Sequence, residues 1–555
     1  MSNQDLEKAN LKSTKKFYEG NAGDGTNVFD QYITGLPLIM VFSGCFLSCF
    51  LIGLDQTIVI TLLETVGEKF DAYDKIGWVS SGYMLTMAVF SATWGRVAIT
   101  FGRKYSLIIA IILFEAGSLM CALATSMNIL IGGRVLAGIG GGGCQALTWI
   151  ICTEMVTMDR RPLFLSILGA GFSLASVLGP IIGGSFTEHS SWRWCFYINL
   201  PLGGVSALII IIFFNPPSAK GTFKEKLESL DYVGTFAISV GIVLFLLALT
   251  FGGNEFPWKS AAVILCFILG FVFLVLFFIW NFRFSKAPII PIEIFREMGV
   301  VMPVLSLFFC FLCFIGLSVY LTTYFQIIIG SDPLSAALHL LPIFISIVLT
   351  AISSGVFMKT TGYVKPLAIL TAGLGCIGLG LLTMLDIDSS SSQKIGFLIL
   401  PGVSIGALLQ TGITSSQLNA PKTQGATILT TAFFNFSRSL GGAIGADLFQ
   451  TIFNSSLKNK IENSIKNNTL VGITDKEAQL IIKNPSLINR LDGNQRILLL
   501  RCAMASLKNV FITSLAVSFI TFAICVLYSS KTVPKSSEIA VKEDTPMKDD
   551  ESDNK

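Results

Sequence analysis

Apolar windows of about twenty residues recur along the chain, broken by short polar or glycine-rich stretches. Each is long enough to cross the hydrocarbon core of a bilayer as one helix. Fourteen are read, with cores near 37–60, 77–98, 105–126, 128–152, 163–186, 197–214, 232–251, 260–281, 300–320, 337–357, 365–385, 394–416, 425–450 and 506–529. Polar tails at 1–35 and 531–555 read as disordered. One long polar segment, 454–505, separates the last two windows. Its alternation of Ile or Leu with polar residues across 470–500 predicts short surface helices.

Small residues set a second pattern inside the windows. In the fifth, Gly171, Ala175, Gly179 and Gly183 fall on one helix face, with Pro180 and Gly184 beside them. Such a bare seam lets a neighbouring backbone come close, which is how helices associate in lipid. Pro180 removes a backbone donor, so a tight contact and a hinge are both open readings. Gly138–Gly143 fits G-x-G-x-x-G, but it lies inside an apolar helix with no strand before it, and it reads as another seam. Gly95 and Gly102 close the second window, followed by Arg103 and Lys104; Gly355 and Gly362 close the tenth around Lys359. This recurrence divides the chain into a six-helix half at 36–214, a linker with two inserted helices at 215–299, and a second six-helix half at 300–530. Paired halves of this kind are a transporter architecture.

Composition narrows the class. With 52% hydrophobic and 13% charged residues among 555, and a mean hydropathy of +0.70, the chain carries more apolar surface than a soluble domain buries. A net charge of +4 gives no argument for nucleic acid. The short loops on one side carry Arg96, Arg103, Lys104, Arg160, Arg161 and further Lys and Arg, whereas the other side has only Lys69, Lys75, Arg193, Lys259 and Lys394. The positive-inside rule then puts both termini in the cytosol. No cleavable signal peptide is read, because residues 1–32 are polar. Asn454 and Asn467 open glycosylation patterns in the long outer loop. The twelve Cys lie mostly in apolar runs; Cys310 and Cys313 form C-x-x-C without His or acidic neighbours and read as buried thiols. No metal cluster, nucleotide loop or nucleophile constellation is read, so neither an enzyme nor a cofactor is expected.

An ionisable group inside a span costs about 2.5–3.5 kcal/mol on the insertion scale and needs a reason. Asp55, Glu115, Arg134 and Asp447 are the candidates for coupling protons to substrate. A carboxylate in a partly desolvated cavity takes up a proton near neutral pH and also pairs with a cation, so competition for one acid links the two. A structural pairing of Asp55 with Arg134 is the alternative. Arg438, beside Gly441 and Gly442, reads as structural, and Glu154 marks the inner end of the fourth span. A cavity for a bulky organic ligand mixes aromatic faces with amides; Gln56, Tyr83, Gln145, Trp149, Tyr320, Tyr324, Gln326 and Gln410 are the candidates.

Several stretches together resemble the fourteen-span drug–proton antiporters of the major facilitator superfamily, in their fungal branch. Leu54–Val59 (LDQTIV) is similar to the first-helix motif, and Gly95–Lys104 (GRVAITFGRK) to the loop motif after the second helix. Arg134 with Gly138 is similar to the fourth-helix motif, whose Arg is linked to proton transfer. Gly169–Gly184 resembles the antiporter motif, a helix taken to seal the central cavity in one state. Trp192–Pro201 (WRWCFYINLP) resembles a signature of the fourteen-span group, and Arg438–Gly445 its thirteenth helix. The resemblance implies an all-α polytopic membrane protein with the major facilitator fold, acting as a monomer by alternating access on protons and a small-molecule substrate. It implies efflux of cationic or lipophilic toxic compounds at the plasma membrane, or transport of basic amino acids at the vacuolar membrane. A non-transporting sensor is the remote third reading; it should carry a long folded cytosolic domain, and only short tails are read here. One departure stands out: the loop motif's acidic residue is Ile99 and its next basic position Thr100. The inner latch must then be built differently, from Glu154 or Asp159 with Arg103.

Overall fold

The computed structural model describes residues 20–535 except 22–23, 25, 73–74, 218, 253–255, 468–480, 482–486, 489–490 and 492. Fourteen long helices run through it: α1 Gly35–Ile58, α2 Ile76–Phe101, α3 Arg103–Ala122, α4 Met127–Glu154, α5 Arg161–His189, α6 Trp194–Phe213, α7 Tyr232–Phe251, α8 Ala261–Arg283, α9 Met298–Ile328, α10 Leu341–Thr361, α11 Lys365–Leu382, α12 Ser391–Leu418, α13 Ala426–Lys466 and α14 Gln495–Val526. Each overlaps one expected window. Thirteen contain a stretch apolar enough to span a membrane; α13, which carries Asn435, Arg438 and Asp447 and runs on through a polar stretch to Lys466, is less apolar. Local chemistry fixes several starts. Ser126 and Ser390 cap α4 and α12 with their hydroxyls, and a proline stands in the first turn of α5, α10 and α11, where its missing N–H costs nothing.

The helix pairing repeats with an offset of eight. Within the first six helices, α1 packs on α4, α5 and α6, α4 on α2 and α3, and α3 on α6; among the last six, α9 packs on α12, α13 and α14, α12 on α10 and α11, and α11 on α14. The halves meet through α2 against α13 and α5 against α10, again equivalent pairs, while α7 and α8 pair with each other and touch the bundle through α2 and α13. The recurring glycines explain themselves here. A Cβ on Gly95 would run into Ala432 of α13, and one on Gly355 into Pro162 and Ser166 of α5. Gly102 and Gly362 take positive φ, +90° and +79°, at the helix ends. The first glycine of each pair lets the halves touch and the second turns the chain.

The seam of α5 faces α1. A Cβ on Gly179 would meet Thr57 and lie 2.9 Å from the Ile58 nitrogen, and one on Gly183 would lie 2.8 Å from Ile58 Cγ1. From the other side, Gly53 approaches Ala175. The helix stays continuous through Pro180. The glycine run of α4 is likewise packing: Gly138 and Gly142 abut Tyr83 and Met87 of α2, and Gly140 abuts Phe114 of α3.

Two segments depart from the expected pattern. The segment read as a loop from 454 begins as helix, because Phe449, Phe453, Leu457 and Ile461, four residues apart, are all buried and carry α13 onward against α14. Asn454 is therefore half-buried inside a helix, not in the surface loop its glycosylation pattern presumes, whereas Asn467 is exposed at the helix end. The surface helices expected across 470–500 fall largely outside the described residues, and the chain is again helical from Gly493. The N-terminal tail, read as disordered to residue 35, is ordered in its described part from residue 20, for reasons given below. Residues 531–535 also dock: Val533 N donates to Gly362 O at 2.9 Å.

Replacing Gly179 by Leu should force α1 and α5 apart. Overpacking of this kind costs about 1–3 kcal/mol or more. The expected outcome is a lowered thermal midpoint of the purified protein, measured by differential scanning fluorimetry, with Gly184→Leu unaffected because its Cβ would meet open space.

Candidate functional site

Four helices of the first half converge on one buried charge pair. Arg134 Nη1 of α4 donates to Asp55 Oδ2 of α1 at 2.7 Å, with the two residues 1% and 0% exposed. The remaining groups close the network. Arg134 Nε donates to Val79 O at 3.1 Å, and the guanidinium stacks over the Tyr83 ring at 4.1 Å. Asn199 Nδ2 of α6 donates to Asp55 Oδ1 at 3.0 Å and reaches Ser118 Oγ of α3 at 3.1 Å. Glu115 lies one turn before Ser118 on α3. Its two carboxylate oxygens are buried with no hydrogen-bond partner among the described residues, against Gly203 of α6, where a Cβ would collide with them. One carboxylate is thus locked by a cation and an amide, and a second beside it is unsatisfied.

A small cavity of about 40 Å³ lies between the halves. Gln56, Met87, Gln145 and Phe172 line it from the first half, and Phe311 and Arg438 from the second. Gln56 follows Asp55 directly, and its Nε2 sits 3.2 Å from Met87 Sδ. With the Gln145 amide oxygen turned toward the guanidinium, it accepts from Arg438 Nε at 3.2 Å and from Nη2. The Arg438 guanidinium also lies 4.7 Å from the Phe172 ring, 4.9 Å from Phe311 and 5.8 Å from Trp149.

The end of the bundle that carries Gly95 and Gly355 is sealed. Gln417 Nε2 of α12 donates to Thr153 Oγ1 of α4 at 2.9 Å. Arg103 grips Glu154 with two bonds, Nε to Oε2 at 2.7 Å and Nη2 to Oε1 at 2.8 Å, whereas Asp159 accepts from Thr157 Oγ1 at 2.5 Å. The second partner of Arg103 comes from outside the bundle: Nη1 donates to Asp24. Asp24 belongs to an N-terminal strap that also joins the halves. Ile33 N donates to Met155 O beside α4 at 3.0 Å, and Gly425 N before α13 donates to Asn21 O at 2.7 Å. Burial alone would push the Asp24 carboxyl up, but the Thr26 bonds and the Arg103 charge outweigh it and hold it below its ordinary value of 3.8.

Several residues marked in the sequence fall elsewhere. Lys104 Nζ donates to Ile211 O at 2.8 Å and Asn215 Oδ1 at 2.7 Å. Asp447 accepts from Thr250 Oγ1 of α7 at 3.1 Å, facing the inserted pair. Tyr320 packs on Phe453, Tyr324 donates to Asp386 O at 2.9 Å, and Gln326 is half-buried near the end of α9; none of the three lines the cavity. Gln410 Nε2 reaches Leu165 O at 3.4 Å across the interface of the halves. Asn199 and Asp24 were missed. Asn199 sat in a marked signature with no role attached, and nothing in the sequence brings residue 24 beside residue 103.

Asp55→Leu alone leaves a buried guanidinium unpaired, which should cost about 3–5 kcal/mol, and adding Arg134→Leu should regain most of it. Denaturant unfolding of the two purified variants measures this; an equal loss in both would remove the pair as the source of stability.

The Major Facilitator Superfamily model matches residues 45–446. The chain is 36% identical to the vacuolar basic amino acid transporter 5 of Saccharomyces cerevisiae over 92% of this chain and 93% of that protein. It is 34% identical to the azole resistance protein 1 of the same yeast over 80% of each. The solved proton:xylose symporter XylE shares the fold at a TM-score of 0.55 and 14% identity, covering 89% of this chain and 97% of that one. With two equivalent six-helix halves, an inserted pair and a cavity between the halves, the chain belongs to the Major Facilitator Superfamily and is a multi-pass membrane transporter of small molecules.

Proposed function

We propose that this transporter is a proton-coupled exporter of small lipophilic organic compounds, working at the plasma membrane with both termini in the cytosol. The observation that carries the reading is the Asp55–Arg134 pair with Glu115 beside it. A proton on Asp55 cancels its attraction for Arg134, and the guanidinium then keeps Val79 O and the Tyr83 face. Asp55 precedes the cavity residue Gln56 on α1, and Arg134 shares α4 with the cavity residue Gln145. A change in the pair therefore acts on two helices that line the cavity. Glu115, whose carboxylate oxygens are buried without a hydrogen-bond partner among the described residues, is the group best suited to hand a proton to Asp55. Azole resistance in a relative's name supports the export of lipophilic compounds. The name of another supports basic amino acid transport at the vacuole as a second reading. Among the described residues no carboxylate lines the cavity, with Asp55 tied to Arg134 and Asp447 turned to Thr250, and this favours the lipophilic class.

In the same reading the strap is the cytosolic latch, with Asp24 supplying the acid that Ile99 does not. Because docking lowers the Asp24 value, its contribution is complete above about pH 4 and is lost as the pH falls through the docked value. The latch is then insensitive to pH across the physiological range.

Two outcomes are expected. In proteoliposomes loaded with radiolabelled fluconazole, an uncharged azole, an imposed pH gradient drives export, lysine and arginine are ignored, and Asp55→Asn or Glu115→Gln abolishes the gradient dependence while the protein still reconstitutes. Gradient-driven lysine movement alone would sink the export reading. Asp24→Ala should raise amide exchange across 425–432 by about tenfold or more, the worth of one lost charge-assisted bond. In the wild type the same segment should stay protected from pH 5 to 8 and loosen below about pH 4. Unchanged exchange in Asp24→Ala would reduce the strap to a bystander.

A further inference from the structure

We propose that Arg438 recognises an anionic group on the substrate, so that the central cavity takes flat organic acids, aromatic carboxylates or phenolates, in preference to cations. The proposal rests on reading the cavity as the transport site. Arg438 is 2% exposed and lines that cavity. A guanidinium does not give up its proton in a protein, so its charge must be answered by its surroundings. Here the answer is incomplete. Gln145 accepts from Nε and Nη2, but Nη1 has no hydrogen-bond partner among the described residues, and no Asp or Glu lines the cavity with it. The Phe172 and Phe311 faces soften the charge without neutralising it.

A second donor stands next to it. Ser439 lines the same cavity, and its buried hydroxyl also lacks a partner among the described residues. Both residues belong to the α13 wall of the cavity, and an acid group can accept from a guanidinium and a hydroxyl. The ligand's body is defined by the neighbours. Phe172 of α5 and Phe311 of α9 present aromatic rings from opposite halves, and Met84, Met87 and Ile315 complete an apolar wall. A ring system bearing one acid group satisfies all of these; an ammonium would meet an unneutralised guanidinium in a poorly solvated space. A purely structural Arg438, holding α13 to α4 through Gln145, accounts for Nε and Nη2 but leaves Nη1 and Ser439 unexplained.

Binding separates this proposal from the transport reading. Purified full-length protein is titrated by equilibrium dialysis with 2-naphthaleneacetic acid, its methyl ester and 2-(2-naphthyl)ethylamine, which share a body and differ in charge. The acid should bind about tenfold or more tighter than either analogue. Arg438→Gln should weaken the acid by about ten- to hundredfold and leave the ester within about threefold, the worth of a hydrogen bond to a charged group. Arg438→Lys should recover part of the preference, since it keeps the charge but not the fork. If Arg438→Gln fails to fold, Ser439→Ala replaces it and should weaken the acid selectively. No binding of the acid, equal binding of acid and ester, preference for the amine, or equal loss of acid and ester in the variant overturns the proposal. Selective acid binding upholds it even where no pH gradient moves the acid in proteoliposomes, a result that counts against the transport reading alone.

Discussion

Charge in a bundle surrounded by lipid must be answered from within the protein, and the arrangement of this one follows from how each ionisable group is answered. Asp55 and Arg134 neutralise each other and draw α1, α4 and, through Asn199, α6 together. Arg103 meets two carboxylates at the end of the bundle. Asp447 leans on the Thr250 hydroxyl of the inserted pair. Two groups stand apart: Glu115 has no partner for its carboxylate, and Arg438 has one idle nitrogen and no counter-ion among the described residues. An unsatisfied ionisable group in such surroundings costs several kcal/mol unless something else completes it. The proposed proton on Glu115 and the proposed anion at Arg438 would each answer one of these groups.

The two halves share a pairing scheme but not a chemistry. The space among α1, α3, α4 and α6 is filled by the Asp55 cluster. The equivalent space among α9, α11, α12 and α14 holds a cavity of about 30 Å³ lined by apolar residues, small hydroxyls and the thiols of Cys310 and Cys313. Although that cavity rivals the central one in size, it contains no charged group. With one pairing scheme, the first half holds the buried Asp55–Arg134 pair and the second presents Arg438 at the interface. The glycine pairs were kept in both, since they answer to the crossing of α2 with α13 and of α5 with α10, which both halves need.

Most of the fold was legible because hydropathy and helix length obey one constraint, the thickness of a bilayer. The Gly95–Gly102 and Gly355–Gly362 recurrence was legible for the same kind of reason: a close contact between the halves tolerates nothing larger at the first position, and a positive φ favours glycine at the second. What misled was local polarity. Residues 454–466 read as loop because three of every four positions are polar, while the fourth, at Phe453, Leu457 and Ile461, is buried on α14. The charge pair was open to inference, as Asp55 and Arg134 are costly alone. The cavity was harder. Gln56 and Gln145 line it, but Tyr320 and Tyr324, the same kind of residue to a sequence reading, pack elsewhere, because only the relative rotation of α9 decides which face meets the centre. Arg438 reads as structural from its place beside Gly441 and Gly442, whereas its idle nitrogen among the described residues is visible only in the structure.

Under the proposed reading, the strap is a latch built without the loop motif's acid. At the end of α2 an acid on the helix itself would hold a fixed place relative to Arg103, whereas Ile99 is apolar and buried there. Asp24 arrives instead on a separate segment whose backbone also binds the other half through Asn21 and Gly425. The substitution changes the mechanics. An acid on α2 would tie the first half to itself and act on the second only by shape; an acid on the strap makes the Arg103 pair and the contact to Gly425 parts of one element. Opening that end must then release the strap from at least one half. The cost of release includes a buried charge-assisted bond, and the ease of opening is set by residues ahead of the first span as much as by the spans themselves.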